Sequence, residues 1–145
     1  MHILEDDIVL KGGNALYYDR GEYRASLLSA SPDLGTYKNT YMKAIAASAD
    51  VLIPISLDKL IPTLEKKFLT HKEIDIVMGD FSAIELPLFY GSIYTELDAF
   101  KKLFELEATL FSKGNSSGES TEKVFIVEGK KQDIENAITF LEEHN

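Results

Sequence analysis

The chain contains no cysteine among its 145 residues. Without thiols it forms no disulfide, thiolate nucleophile, iron–sulfur cluster or zinc–thiolate site, and this composition fits a reducing compartment. No apolar run approaches the ~20 residues that cross a bilayer. Residues 1–7 are acidic where a signal peptide would be basic. We therefore expect a cytoplasmic protein with no membrane partner.

Basic residues are also scarce. Fifteen lysines and arginines stand against 24 acidic residues, which gives a net charge of −9 and a pI of about 4.8. The only adjacent basic pairs, Lys66-Lys67, Lys101-Lys102 and Lys130-Lys131, are far apart in the sequence. A phosphate backbone would be repelled by such a chain, so we expect no nucleic-acid partner. The acidic surface favours solubility and allows a basic protein partner.

Motifs of catalysis are missing as well. The three histidines, His2, His71 and His144, include no pair at the helical spacing of a metal site. The one Gly-x-Ser-x-Gly match, Gly114 to Gly118, lies in a stretch rich in glycine, asparagine and serine and is not preceded by a strand pattern, so it is not a nucleophile elbow. Gly12-Gly13 does not open a phosphate-binding loop. We predict no catalytic residue, no cofactor and no metal site. The sequence leaves open whether the protein is an enzyme, and the missing motifs favour a protein without catalytic activity.

Three apolar runs form the predicted centre of the fold: Val51–Ile55, Ile74–Met78 and Ile84–Tyr90. The second and third are predicted to pair as an antiparallel hairpin, because the turn between them is too short for a crossover helix. Pro54 has no amide hydrogen, which predicts a strand end, an edge or a bulge. We expect all three runs to share one sheet.

The N-terminal region reads as a meander of short strands. Residues 8–10 and 15–18 are predicted to form a hairpin around the Gly-Gly turn of residues 11–14. A second turn at residues 19–22 leads to a third strand over 23–29. The connections are too short to join parallel strands, so this opening is predicted to be antiparallel.

Apolar residues at helical spacing predict four helices. They cover residues 36–48, 62–71, a stretch from Ser92 or Thr95 to about 112, and the segment after Gly129. Thr95 to Asp98 has the form of a capping box, and residues 123–128 are a predicted strand. The predicted fold is α+β (mixed α/β), with a single mixed or largely antiparallel sheet covered by about four helices. One domain is expected over residues 1–145.

Residues 44–100 resemble the N-terminal domain of the SseB (enhanced serine sensitivity) family. That family shows a helix, a Leu-Val-Pro-Val-like segment, a hairpin ending in a Pro-Val-Phe-Thr-Ser-like motif, and another helix. Here residues 51–55 read Val-Leu-Ile-Pro-Ile and residues 86–92 read Leu-Pro-Leu-Phe-Tyr-Gly-Ser. Pro87, Phe89 and Ser92 are the matching positions, and Tyr90-Gly91 departs from the family pattern, as does the strand-rich opening. The resemblance implies a mixed α/β fold with no catalytic residues to transfer.

Two functions are compatible with these features. The first is a non-enzymatic protein-interaction or regulatory module that binds a protein partner or forms a homodimer or other homo-oligomer, because tyrosine is enriched at interfaces. Its predicted surface comprises Tyr37, Tyr41, Pro87, Phe89, Tyr90, Ser92 and Tyr94. The alternative is a domain or enzyme that binds a small ligand, an anion or a nucleotide, near Ser56 and Ser92. In that case the helix after Ser92 would offer its backbone amides to an anion.

Overall fold

The computed structural model describes residues 2–27, 35, 37–62, 78, 88–114 and 122–144. The chain divides into two compact units, Met1–Ile93 and Tyr94–Asn145. The single domain expected over residues 1–145 stays a prediction. The predicted helix at 62–71 lies outside the described residues except for Pro62. Of the apolar run 74–78 only Met78 is described, and its side chain is exposed.

The first sheet has three strands in the order β1-β4-β6, and all of its residues except Tyr94 at the end of β6 belong to the N-terminal unit. Their bounds are Ile8–Leu10 for β1, Asp50–Pro54 for β4 and Ser92–Tyr94 for β6. The central strand β4 pairs in parallel with β1, so that Val9 lies opposite Val51. Val51 and Ile53 are buried, as expected for alternate side chains that face a core. Pro54 ends β4, which confirms its predicted place at a strand end.

The second sheet is antiparallel and has the order β2-β3-β5. Its strands are Ala15–Asp19 (β2), Glu22–Ser26 (β3) and Leu88–Phe89 (β5). The predicted turn at residues 19–22 is confirmed. Arg20 and Gly21 have φ values of 52° and 90°, and positive φ at both central residues is the geometry that fits the right-handed twist of a two-residue hairpin.

The predicted hairpin between residues 8–10 and 15–18 is wrong, because β1 pairs with β4 and β2 pairs with β3. Neither Gly12 nor Gly13 has a positive φ, so they are not turn glycines. A Cβ on Gly13 would lie 2.9 Å from the Ile55 side chain and 3.2 Å from the Ser26 carbonyl oxygen. The glycine is there because the chain passes between the two sheets with no room for a side chain.

The expectation of one sheet is also wrong, although the mixed α+β class is confirmed. The run at residues 51–55 belongs to the first sheet through β4, whereas residues 88–89 of the run 84–90 form β5 in the second. A third, two-stranded sheet lies in the C-terminal unit, and none of the three sheets of the described residues is covered by four helices. The apolar runs are short enough to be shared among small sheets, which hydropathy alone does not distinguish from one large sheet.

The helix predicted at residues 36–48 is present over the described residues. It consists of a π-helical turn, Tyr37–Tyr41, followed by α1, Met42–Ala46. Tyr41 and Ala44 face the core. The chain leaves the helix at Ser48, whose φ of 58° is left-handed, and then enters β4.

The C-terminal unit has the order α2, β7, β8, α3. Its elements are Glu96–Phe104, Glu107–Lys113, Lys123–Glu128 and Lys131–Glu143. The capping box is confirmed, since the Thr95 backbone N–H and hydroxyl donate to one Asp98 carboxylate oxygen at 2.8 and 2.9 Å. The strand predicted at 123–128 and the helix predicted after Gly129 are confirmed as well.

The helix predicted to extend to residue 112 is wrong beyond Phe104. Glu105 takes a left-handed φ of 57°, which ends α2, and residues 107–113 continue as β7. Leu106 and Leu110 fit a helical spacing, but with Ala108 they also fit the two-residue period of a strand. Pairing with β8 favours the strand. Of the two predicted helix starts, Thr95 is confirmed as the N-cap of α2, whereas Ser92 is the first residue of β6.

We predict that Gly91→Ala destabilises the N-terminal unit by about 2 kcal/mol, because overpacking a filled site forces the backbone to move. A Cβ at this position would lie 2.6 Å from the Val51 carbonyl oxygen. Gly12→Ala is the matched control, since its Cβ would meet nothing closer than 3.7 Å. Urea unfolding of both variants measures the difference. Equal stability of the two would contradict the close approach of Gly91 to β4.

Candidate functional site

The tyrosines of the predicted surface separate into buried and exposed residues. Tyr41 is only 1% exposed, so its ring belongs to the core of the N-terminal unit and not to a surface. Its phenol oxygen accepts a hydrogen bond of 2.6 Å from the backbone N–H of Tyr90. The Tyr90 ring is 65% exposed. The structure therefore brings these two residues together, one as support and one at the surface.

The other residues of that surface are spread along the chain. Ser92 is exposed at the start of β6. The half-buried Tyr94 ring, in the C-terminal unit, lies 5.5 Å below the Lys102 ammonium group. The backbones of Tyr37 and Phe89 lie in the π-helical turn and in β5. The side chains of Tyr37 and Phe89 and the whole of Pro87 lie outside the described residues.

Three side chains of the N-terminal unit that carry a hydroxyl group are buried: Tyr17, Ser26 and Tyr41. Burial raises the pKa of the Tyr17 phenol, and the neighbouring Ser26 hydroxyl partly offsets this rise. Burial likewise raises the pKa of Tyr41, against the effect of its hydrogen bond with Tyr90. The fully buried Ser26 hydroxyl has no hydrogen-bond partner of good geometry among the described residues. None of the three residues is more than 6% exposed, so we assign them to the core.

Tyr17 and Tyr41 predict a loss of stability in alkali. A phenol whose folded pKa exceeds its unfolded pKa of about 10 stabilises the fold fully below pH ~10, and that contribution falls as pH rises through the folded pKa. We expect the free energy of unfolding of Tyr17→Phe and Tyr41→Phe to fall less between about pH 9 and 11 than that of the wild type. Urea titrations measure it, with Tyr18→Phe, whose ring is exposed, as the control. An identical pH dependence in all four proteins would contradict the burial argument.

The alternative ligand site near Ser56 and Ser92 is not assembled from converging strand ends. Gly91 packs against Val51 at the start of β4, whereas Ser56 follows the end of that strand. The two ends of β4, Asp50 and Pro54, are roughly 13 Å apart at about 3.3 Å per residue. The Ser56 hydroxyl accepts a hydrogen bond of 3.1 Å from the Asp58 backbone N–H and so caps a short 3₁₀ turn, Leu57–Lys59. The helix amides predicted to face an anion are also absent at Ser92, because that residue lies in β6.

Histidine and carboxylate side chains, which could bind a metal ion, do not cluster in the described part of the chain. No group of three or more histidines and carboxylates that could hold a metal ion occurs in the described residues. A helix long and apolar enough to span a bilayer is likewise not found among them.

The outer face of the β7–β8 hairpin is one of two exposed apolar surfaces of the C-terminal unit. The other lies on the helices, where Leu103, Ile138, Phe140 and Leu141 are 59%, 50%, 40% and 45% exposed. Side chains alternate along both strands, so that Leu110 and Phe125 point inward and are half-buried. Phe111, Val124 and Ile126 are 69%, 47% and 48% exposed. We call these three side chains, with Thr109 opposite Ile126, the hairpin face.

A β-bulge contributes to the exposure of the hairpin face. The strand register shifts between Leu110, which pairs with Phe125, and Ser112, which pairs with Val124. Phe111 is the extra residue, and bulges of this kind change the direction of a side chain. Within residues 94–114 and 122–144, β7 and β8 pair only with each other, so neither strand has a second neighbour.

Two glutamates lie at one end of the hairpin face. Glu107 and Glu128 are directly opposite each other across the strands and both are exposed. Lys101 contacts Glu107 at 2.8 Å, and this hydrogen bond raises the pKa of the lysine. Glu128 forms no ion pair with any described residue. Like charges directly opposite in a sheet repel each other, so this end of the face favours an incoming cation.

An apolar cavity that is partly open to solvent lies on the other side of the hairpin, beneath the two helices. Its volume is about 240 Å³. Its walls are apolar side chains from α2, β8, α3 and the α2–β7 junction: Phe100, Leu106, Phe125, Val127, Ile134, Ala137, Ile138 and Leu141. With no polar group to orient a ligand, we interpret it as loose packing of this small unit.

We predict that Ala137→Leu stabilises the C-terminal unit by about 1 kcal/mol, because cavity filling commonly adds this much. Ala137 is buried and lines the cavity, which exceeds the volume of the added atoms. Thermal unfolding measures the change, and Ala99→Leu at the rim of a smaller, 120 Å³ cavity is the comparison. A destabilised Ala137→Leu would show that the cavity closes in solution.

Comparison of the chain with protein-family models, with curated proteins and with solved structures finds no match. The resemblance to the SseB family therefore stays a prediction.

The hairpin face was not among the sequence predictions. Residues 107–112 are predicted from the sequence to lie in the helix that ends at about residue 112. The signal that would have identified it is the alternation of Leu106, Ala108 and Leu110 with polar residues, which is a strand pattern.

Proposed function

We propose that the protein is a non-enzymatic protein-interaction module and that the hairpin face is its binding surface. One observation carries this proposal: three large apolar side chains lie together on a sheet face that no described element of the C-terminal unit covers. Contiguous exposed apolar groups of this kind are typical of interaction sites.

The organisation of the unit explains why the face is left open. Both helices lie on the inner side, where the rings of Phe100 and Phe125 are 5.5 Å apart. A two-stranded sheet gains stability from a helix on one face, and the described part of the unit supplies nothing for the other. The aromatic ring of Phe111 on this bare face has the character of an interface anchor.

The test compares proteins captured by the wild type with those captured by Phe111→Lys/Ile126→Lys. Lysines on the hairpin face would bury charge in any interface, so we expect at least a tenfold loss of specifically captured protein. Cross-linking in lysate of the cells that make the protein, followed by quantitative mass spectrometry, measures the loss.

Leu103→Lys is the matched control. Leu103 is as exposed as the hairpin-face residues, at 59%, but it lies on α2 and should leave capture unchanged. Light scattering of the purified wild type shows whether the captured partner is a second copy of the chain. A capture pattern that is the same for the wild type and the hairpin-face variant would overturn the proposal.

A further inference from the structure

We propose that the hairpin face binds an extended protein segment that carries lysine or arginine at one end, followed by apolar side chains at alternate positions. This inference rests on the proposed function and specifies the chemistry of the partner. It is carried by the arrangement of charge around the face and by the spacing of its rows.

The charge comes from the cross-strand pair Glu107 and Glu128. Residues directly opposite in an antiparallel sheet have Cβ atoms about 5 Å apart, so one ammonium or guanidinium group can contact both carboxylates. Of the two glutamates, Lys101 of α2 contacts Glu107 alone, through an exposed ion pair of 2.8 Å. A partner cation would offset the repulsion between the two carboxylates. Binding of the segment would also exclude water from around the cation and the carboxylates. Charge-assisted hydrogen bonds are stronger where water is excluded.

The cross-strand residue pairs of the hairpin face form successive rows. The distances between these rows determine which positions of the partner segment should be basic and which should be apolar. The row Thr109–Ile126 lies two residues beyond the glutamates, and Val124 lies two residues further. At about 3.3 Å per residue these rows are roughly 7 and 13 Å from the carboxylates. An extended partner has the same rise, and its side chains alternate between two faces. A cation at its first position therefore places apolar groups over the two rows from its third and fifth positions.

The opposite end of the hairpin does not repeat the acidic pair. Lys113 lies opposite Lys123 there, and the Lys123 ammonium contacts Glu96 of α2 at 3.1 Å. The partner is therefore expected to be basic at one end only. A second copy of this chain fits less well, because each copy has a net charge of −9 and the two copies repel each other.

Selection from a random peptide library displayed on phage tests the proposal with the full chain immobilised. We expect the enriched peptides to share a basic residue followed by apolar residues two and four positions later, in either chain direction. Synthetic peptides from the selection should bind in fluorescence anisotropy and should weaken as salt rises, because exposed ion pairs are screened.

The decisive variant is Glu107→Lys/Glu128→Lys, which should lose about tenfold or more in affinity for the selected peptides, as expected for a charge pair enclosed by an interface. Glu142→Lys/Glu143→Lys makes the same change in net charge on α3 and should retain binding. Equal loss in both variants would overturn the proposal, because it would show attraction to the overall charge alone.

The outcomes separate this inference from the proposed function. Enriched peptides that need Phe111 and Ile126 but lack a basic residue at one end would overturn the inference and leave the proposed function standing. A dimer that light scattering detects in the wild type but not in Phe111→Lys/Ile126→Lys would have the same consequence. A selection in which no peptide depends on the hairpin face would overturn both.

Discussion

The contact between Phe100 of α2 and Phe125 of β8 determines which face of the C-terminal hairpin is covered. Their rings lie 5.5 Å apart, and the Lys123–Glu96 ion pair joins the same two elements. The Phe104 and Phe140 rings, 5.6 Å apart, hold α3 beside α2. With both helices packed on the inner side, strand alternation sends Ile126 and its neighbours outward. The exposed hairpin face follows from this packing.

The fold could be predicted from the sequence where a local pattern of residues is compatible with only one structure. The capping box at Thr95 and Asp98, the turn at Arg20-Gly21 and the strand at 123–128 were all identified correctly, because each depends on residues close in the chain. The predicted turn at Gly12-Gly13 is wrong, because a glycine required for close packing, such as Gly13 against Ile55, looks the same in sequence as a glycine required for a turn. That distinction depends on partners more than ten residues away.

The hairpin face is not predicted from the sequence, because the spacing of the apolar residues in β7 fits both a helix and a strand. Leu106 and Leu110 satisfy a helix, and with Ala108 they satisfy a strand, so the pattern alone does not decide. The left-handed backbone of Glu105 and the pairing with β8 decide it, and both depend on tertiary context. The predicted surface included Tyr41, which the structure buries, because a tyrosine at helical spacing gives no sign of whether its ring faces a core or a partner.

The net negative charge of the chain affects binding at the exposed hairpin face in two ways. A two-stranded sheet with open edges and bare apolar residues is a template for unwanted pairing. The bulge at Phe111 interrupts one edge of that sheet, and a net charge of −9 keeps identical copies apart. The same negative charge attracts a basic segment and speeds its encounter with the face. Glu107 and Glu128 thus oppose self-association, and their mutual repulsion makes a cationic partner the favourable occupant.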